Sequence, residues 1–186
     1  MNTEIIRVIK LGGIVVMSTD TIYGITCSAI NPKTVEKIYK LRKRSANKPF
    51  IILIASLHDL SFFNINLSGS QKKFLEKNWP NPLSVILPIK SDEFQYLHKG
   101  ENSLAFRMPK DEKLQELLNR TGSLVAPSAN LQGEKPAQTI EEAKAYFGNK
   151  VSYYEDGGYI KSEASTLIKL NGDGSFIVLR QGSFRV

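Results

Sequence analysis

Gly12-Gly13-Ile14-Val15-Val16-Met17-Ser18-Thr19-Asp20-Thr21-Ile22-Tyr23-Gly24 is the stretch that decides how this chain is read. The paired glycines close a short amphipathic segment, and Ile14 to Met17 is a β-branched apolar run of buried-strand length. Ser18 to Gly24 then supplies hydroxyls, one carboxylate, an aromatic ring and a glycine that lets another backbone approach closely. Such a loop either holds a small polar ligand or forms a turn in which Thr19 and Asp20 hydrogen-bond their own backbone.

Outward from it, helical and strand patterns alternate. Asn31-Pro32 reads as N-cap and first helical residue of a helix through Lys40, with Val35, Ile38 and Tyr39 on one face. Phe50 to Ile54, Val85 to Leu87, Leu104 to Met108 and Leu124 to Ala126 read as strands, and Ser70 to Asn78 as a helix that stops ahead of Trp79-Pro80-Asn81-Pro82. Asp111 can cap a helix to Arg120, and Thr139-Ile140-Glu141-Glu142 reads as a capping box for a helix ending near Gly148. Leu167 to Leu170 and Phe176 to Leu179 flank Asn171-Gly172-Asp173-Gly174, whose residues tolerate the positive φ of a hairpin turn. The expected fold is α/β, a twisted sheet of mixed strand direction flanked by helices.

With 186 residues, 41% of them hydrophobic, the chain can bury one sizeable core, and a single domain over 1–186 is expected. Its apolar runs are much shorter than the roughly 20 residues a membrane crossing needs. One cysteine, Cys27, and two histidines, His58 and His98, leave neither an internal disulfide nor the donors of a zinc site, so a reducing cytoplasm is expected. The 25 Lys and Arg against 18 Asp and Glu, a formal charge of +7, favour anionic partners such as nucleotides or RNA, or serve solubility alone.

Neither a GxxxxGK[ST] phosphate loop nor a GxGxxG turn is present, no GxSxG elbow appears, and a Ser-His-Asp triad has no support in two scattered histidines. Besides the Ser18–Gly24 loop, three polar clusters remain. Lys40 to Pro49 crowds five cations where a helix meets a strand, either as a polyphosphate site or as a solvated helix end favoured by the macrodipole. Ser123 to Asn130 runs from a short strand into Ser128 and Asn130, which either contact phosphate, base or ribose or make an ordinary turn. Arg107 and Arg180 lie within apolar runs, fit either for bidentate capture of a carboxylate or phosphate or for a structural ion pair.

Together these stretches resemble the YrdC-like threonylcarbamoyl-AMP synthase family over about residues 4 to 183. Ser18-Thr19-Asp20-Thr21-Ile22-Tyr23-Gly24-Ile25 resembles its Pro-Thr-Asp/Glu-Thr-Val-Tyr-Gly-Leu, and Arg42-Lys43-Arg44 with Lys48-Pro49 its Lys-x-Arg run. Trp79-Pro80-Asn81-Pro82-Leu83 is similar to Trp-Pro-Gly-Pro-Leu, Ser128-Ala129-Asn130 to Ser-x-Asn, and Ser165-Thr166 with Leu179-Arg180-Gln181-Gly182 to the closing Ser-Thr and Leu-Arg-x-Gly elements. Ser18 stands where the family has proline, Arg42 where it has lysine, and an extra residue separates Gly133 from Pro136.

The resemblance implies a concave basic cleft on a YrdC-like sheet and a nucleotidyltransferase that joins L-threonine, bicarbonate and ATP, with Mg2+, into threonylcarbamoyl-adenylate and pyrophosphate. The product serves threonylcarbamoyladenosine formation in tRNA. It also implies that Arg44 and Lys48 are catalytic, and that Thr21, Tyr23, Arg107, Ala126, Ser165 and Thr166 hold threonine. Arg42, Arg44, Lys48, Ser103, Ser128, Asn130 and Arg180 are implied to face ATP, and no metal ligand is assigned. The chain resembles the short, TsaC-type form that lacks a second, C-terminal domain, which implies separate partner proteins for transfer to tRNA. Two other readings fit the same charge pattern: a non-catalytic double-stranded RNA or tRNA-binding module, and a paralogue with another carbamoyl acceptor.

Overall fold

The computed structural model describes residues 3–45 and 49–186. The chain opens with α1 (Thr3–Lys10), β1 (Val15–Ser18), β2 (Tyr23–Ser28) and α2 (Pro32–Leu41). β3 (Ile51–Leu53), α3 (Asp59–Phe62), α4 (Gly69–Asn78), β4 (Leu83–Pro88), α5 (Gln95–His98) and β5 (Ser103–Arg107) form the middle. α6 (Glu112–Thr121), β6 (Leu124–Val125), α7 (Ile140–Phe147), β7 (Tyr153–Tyr154), β8 (Thr166–Leu170) and β9 (Phe176–Arg180) complete it. Among the described residues nine strands make one sheet in the order β7-β1-β2-β6-β3-β5-β4-β8-β9. β7 with β1, β3 with β5 and β4 with β8 are parallel, the other neighbours antiparallel, so the sheet is mixed as expected.

Side chains alternate across the strands because successive Cβ atoms point to opposite faces. Val15, Met17, Leu53 and Leu124 pack with Ile5 and Ile9 of α1 and Leu114, Leu117 and Leu118 of α6. Ile14, Val16, Ile52 and Val125 face the other way, into the larger core with Val35, Ile38 and Tyr39 of α2, Leu75 of α4 and Phe147 of α7. Helices therefore cover both faces, but α1 and α6 cover theirs only toward the β1 side. Across β5, β4 and β8 that face is open, and the cleft described below lies there.

Side-chain caps fix the starts of α2, α4, α6 and α7. Asn31 accepts from the Thr34 N–H, with Pro32 opening α2, and Asp111 accepts from the Leu114 N–H at 2.7 Å. Three local expectations are corrected. Thr139 does accept from the Glu142 N–H at 3.3 Å, but Glu142 reaches back to the Gln138 N–H at 2.7 Å, one residue beyond the N-cap, so no reciprocal box forms there. The reciprocal box is at α4, between Ser68 and Gln71. In the β8–β9 turn only Gly174 has positive φ, +90°, while the Asp173 carboxylate fixes the turn by accepting from the Ser175 N–H at 2.9 Å. Tyr23 and Gly24, read as loop, already belong to β2, because the hydroxyl turn is confined to 19–22.

Candidate functional site

The Ser18–Gly24 stretch proves to be a turn and a wall at once. Thr19 Oγ1 donates to the Ile22 carbonyl at 2.7 Å and accepts from the Thr21 and Ile22 N–H groups, both at 3.3 Å, so Thr19 bonds its own turn. Thr19 and Thr21 face the cleft while Asp20 between them does not; its carboxylate instead meets Arg107. Gly24 bridges Ser128, and Ala129 N–H donates to the Tyr23 carbonyl at 2.8 Å, which sets the hydroxyl turn beside the Ser128–Asn130 loop.

The cleft has a volume of about 450 Å³. Its floor is the open sheet face: Ser103, Ala105 and Arg107 recur with the strand period along β5, beside Ile86 of β4 and Leu167 of β8. Four arginines, Arg42, Arg44, Arg107 and Arg180, line it, and among the described lining residues Glu101 is the only acid. Burial lowers the basicity of all four; Arg42 is pulled down to about 10 by burial and by Arg44 beside it, and Arg180 presses in the same direction on Arg44 and Arg107. This mutual repulsion among the cleft arginines favours an anion with several negative oxygens.

The arginines differ in what already holds them. Arg42, 3% exposed, donates to the Asn130 carbonyl at 3.0 Å, Asn130 Oδ1 at 2.9 Å and Ser128 Oγ at 3.1 Å. Its fork thus organises the Ser128-Ala129-Asn130 loop, a geometry that a lysine ammonium cannot match. Arg44 donates to the Pro49 carbonyl at 3.2 Å and lies over the Phe50 ring. Arg180 holds the Ser165 carbonyl by two donors, at 2.8 and 3.1 Å. Arg107 is 4% exposed and pairs with Asp20 at 2.8 Å.

The other sequence-expected residues divide in two. Thr21, Ala126, Ser103, Ser128 and Ser165 line the cleft. Tyr23, Asn130 and Thr166 do not, and their polar groups are engaged within the protein, mostly by backbone. The Tyr23 hydroxyl accepts from the Gly157 N–H at 2.8 Å and donates to the Gly158 carbonyl at 2.9 Å, anchoring the loop that follows β7. Asn130 donates to the Leu131 and Glu134 carbonyls, and Thr166 Oγ1 donates to the Phe184 carbonyl while accepting from the Gly182 N–H. Lys48 lies outside the described residues.

The Trp-Pro-Asn-Pro stretch also acts from outside the cleft. Asn81 N–H donates to the Met108 carbonyl and the Pro82 carbonyl accepts from the Thr166 N–H, which clamps the ends of β5 and β8 that carry Arg107 and Ser165. Among the described residues no three His, Cys, Asp or Glu side chains converge on a point that suits a metal, and Asp20 is engaged by Arg107. A metal there would take its ligands mainly from a phosphate substrate and water.

An open sheet face lined by arginines and hydroxyls, with no thiol or imidazole among its described lining residues, defines a class: a small α/β domain that binds an anionic ligand and acts by position and charge. The particular family follows from comparison. Residues 7–182 match the Sua5_yciO_yrdC family, described as telomere recombination, and the chain belongs to it. A protein of Methanocaldococcus jannaschii named putative threonylcarbamoyl-AMP synthase is 33% identical over 172 residues, 92% of this chain and 80% of that one. A Photobacterium profundum threonylcarbamoyl-AMP synthase is 29% identical over 182 residues, 96% of this chain and 97% of its own. The crystal structure of P. abyssi Sua5 complexed with L-threonine superposes with a TM-score of 0.86 at 28% identity, covering 96% of this chain but only 53% of that one, so the chain spans about half the length of that relative. E. coli YciO, 23% identical with a TM-score of 0.83, shares the fold.

Proposed function

We infer that this chain is a threonylcarbamoyl-AMP synthase, one domain over 1–186 that forms threonylcarbamoyl-adenylate and pyrophosphate from L-threonine, bicarbonate and ATP. The observation that carries the reading is the division of labour among the arginines: one deep and nearly closed, Arg107, and others more open, Arg44 and Arg180, on a single cleft of about 450 Å³. A deep guanidinium suits one small carboxylate, and the outer pair suits a polyphosphate.

In this reading the threonine carboxylate meets Arg107 beside Thr21, Ala126 and Ser165, while ATP lies toward Arg44, Ser103, Ser128 and Arg180, with Lys48 a further contact. Arg42, Asn130, Tyr23 and Thr166 shape the walls rather than touch ligand, which fits their backbone hydrogen bonds. The threonine ammonium group and bicarbonate condense to a carbamate with loss of water and a proton. A carbamate oxygen then attacks the α-phosphorus, and the bond to the β-phosphate oxygen breaks to release pyrophosphate. ATP enters as its magnesium complex, the metal riding on phosphate oxygens and water as part of the substrate.

Chemistry of this kind asks the protein for alignment and charge neutralisation rather than for a nucleophile. Alignment alone supplies up to about 7–11 kcal/mol of barrier lowering in well-oriented systems. The product passes to tRNA through separate partner proteins in the cytoplasm. Labelled bicarbonate tests the reading: label is expected in a nucleotide product only when threonine and ATP are both present, and label-free nucleotide in the complete mixture sinks it.

A further inference from the structure

Asp20 and Arg107 form a buried ion pair that is incompletely satisfied. Their side chains are 7% and 5% exposed, and a single guanidinium nitrogen, Nη2, meets Asp20 Oδ1 at 2.8 Å. Asp20 Oδ2 and Arg107 Nε have no hydrogen-bond partner, and Asp20 Oδ1 has none beyond this ion pair. Arg42, equally buried, uses its donors on three oxygens. A buried guanidinium with five donors and one carboxylate contact is an expensive arrangement, and because Nε is sealed from solvent, the donors that a ligand in the cleft can meet are those of the terminal Nη groups.

Arg107 lines the cleft, and so do Thr19 and Thr21, but Asp20 between those threonines does not. Its carboxylate oxygens are sealed from solvent, so Asp20 acts on a ligand only through Arg107. The other charges that bear on the pair are Asp111, acting on Asp20, and Arg180, acting on Arg107. Neither forms an ion pair with either member among the described residues.

We propose that Asp20 is a positioning residue for the amino-acid substrate: it anchors Arg107 from beneath the cleft floor so that the free terminal Nη–H groups of the guanidinium face the substrate's carboxylate. The proposal rests on the reading that Arg107 receives that carboxylate. Two effects oppose each other when the Asp20 charge is removed. An incoming carboxylate is repelled less, but Arg107 is no longer held. Orientation wins, because the cleft already carries three further arginines, whereas outer-shell anchors are typically worth about 10–100-fold in affinity or activity at the analogous metal sites. A misplacement of about 1 Å alone can cost about 10²-fold in rate.

The test compares Asp20→Asn, Asp20→Glu, Arg107→Ala and the Asp20→Asn/Arg107→Ala double variant, with Asp20→Ser in place of the asparagine should that variant not fold. Threonine and ATP KM, kcat and melting temperature are measured for each. Asp20→Asn is expected to raise the threonine KM about tenfold or more while the ATP KM stays within about twofold. Asp20→Glu, which retains the carboxylate, restores the threonine KM to within about threefold. The double variant matches Arg107→Ala, because Asp20 has nothing left to position. An unchanged or lower threonine KM in the neutral variants overturns the proposal, as does an equal rise for threonine and ATP. If wild-type protein shows no threonine-dependent turnover, the synthase reading itself fails, which is a separate result.

Discussion

Gly182→Ala probes the element that shapes the cleft from its far side. A Cβ built at Gly182 lies 2.0 Å from the Ala164 carbonyl oxygen, 2.6 Å from the Ser165 carbonyl carbon and 2.8 Å from its oxygen. All three are backbone atoms, so no flexible side chain can swing away. Ordinary contact requires more than 3.4 Å, so the 164–165 backbone or the Gly182 backbone must move by more than 1 Å. Overpacking of this kind costs about 1–3 kcal/mol. For a chain of this size that is a fall in melting temperature of roughly 2–12 °C. The same movement carries Ser165 away from Ser84, 2.8 Å from it, and from the Arg180 fork. Activity should therefore fall by about 10²-fold, the usual effect of a 1 Å displacement at a reacting centre. Thermal melting and pyrophosphate release measure the two effects. A variant that melts within 1 °C of wild type and turns over normally would refute the claim that this glycine exists for close approach.

The remaining predictions concern other parts of the same architecture. Arg44→Ala removes one hydrogen bond to the Pro49 carbonyl and a cleft charge, so it should raise the ATP KM about tenfold or more while stability changes by no more than about 1–2 kcal/mol; loss of folding together with activity would count against a ligand role. Arg42→Lys should behave differently, lowering stability by about 2–4 kcal/mol because an ammonium cannot hold Ser128 and both Asn130 oxygens, a difference that urea unfolding measures. Tyr23→Phe should loosen the 156–158 loop by about 1–2 kcal/mol, seen as faster amide exchange at Gly157, whose N–H donates to the phenol oxygen at 2.8 Å. Cys27 is fully buried and burial pushes its thiol far up, so it should resist thiol reagents until the protein unfolds. The sign for stability follows: above about pH 8.5 the unfolded thiol ionises and the native one does not, so stability falls with rising pH by up to about 1.4 kcal/mol per unit, and Cys27→Val removes that component.

Legibility in the sequence followed locality. Helix caps at Asn31 and Asp111 and the apolar runs at Ile14–Met17 and Phe50–Ile54 state their own structure, because the capping oxygen or the packed side chains lie within a few residues. β2 was hidden: Tyr23-Gly24-Ile25-Thr26-Cys27 holds a glycine and polar residues, and it becomes a strand through partners in β1 and β6 far along the chain. β7 is two residues long and exists only by pairing with Val15 and Val16. At the candidate site, the sequence singled out segments that the structure brings to one cleft, yet it could not tell inward from outward side chains. Thr21 lines the cleft while Tyr23, two residues on, has crossed into β2 and holds Gly157 and Gly158 instead. Asp20 was missed as the partner of Arg107 because 87 positions separate them and nothing local marks the contact. Nothing local marked the close approach at Gly182, because the backbone it meets belongs to Ala164 and Ser165.

The central claim is tested most directly by pyrophosphate release from ATP and bicarbonate, with and without threonine, followed by mass measurement of the nucleotide product. Release that depends on threonine, together with the mass of threonylcarbamoyl-adenylate, is the predicted result. A folded protein that binds ATP yet releases no pyrophosphate when threonine and bicarbonate are supplied would contradict it.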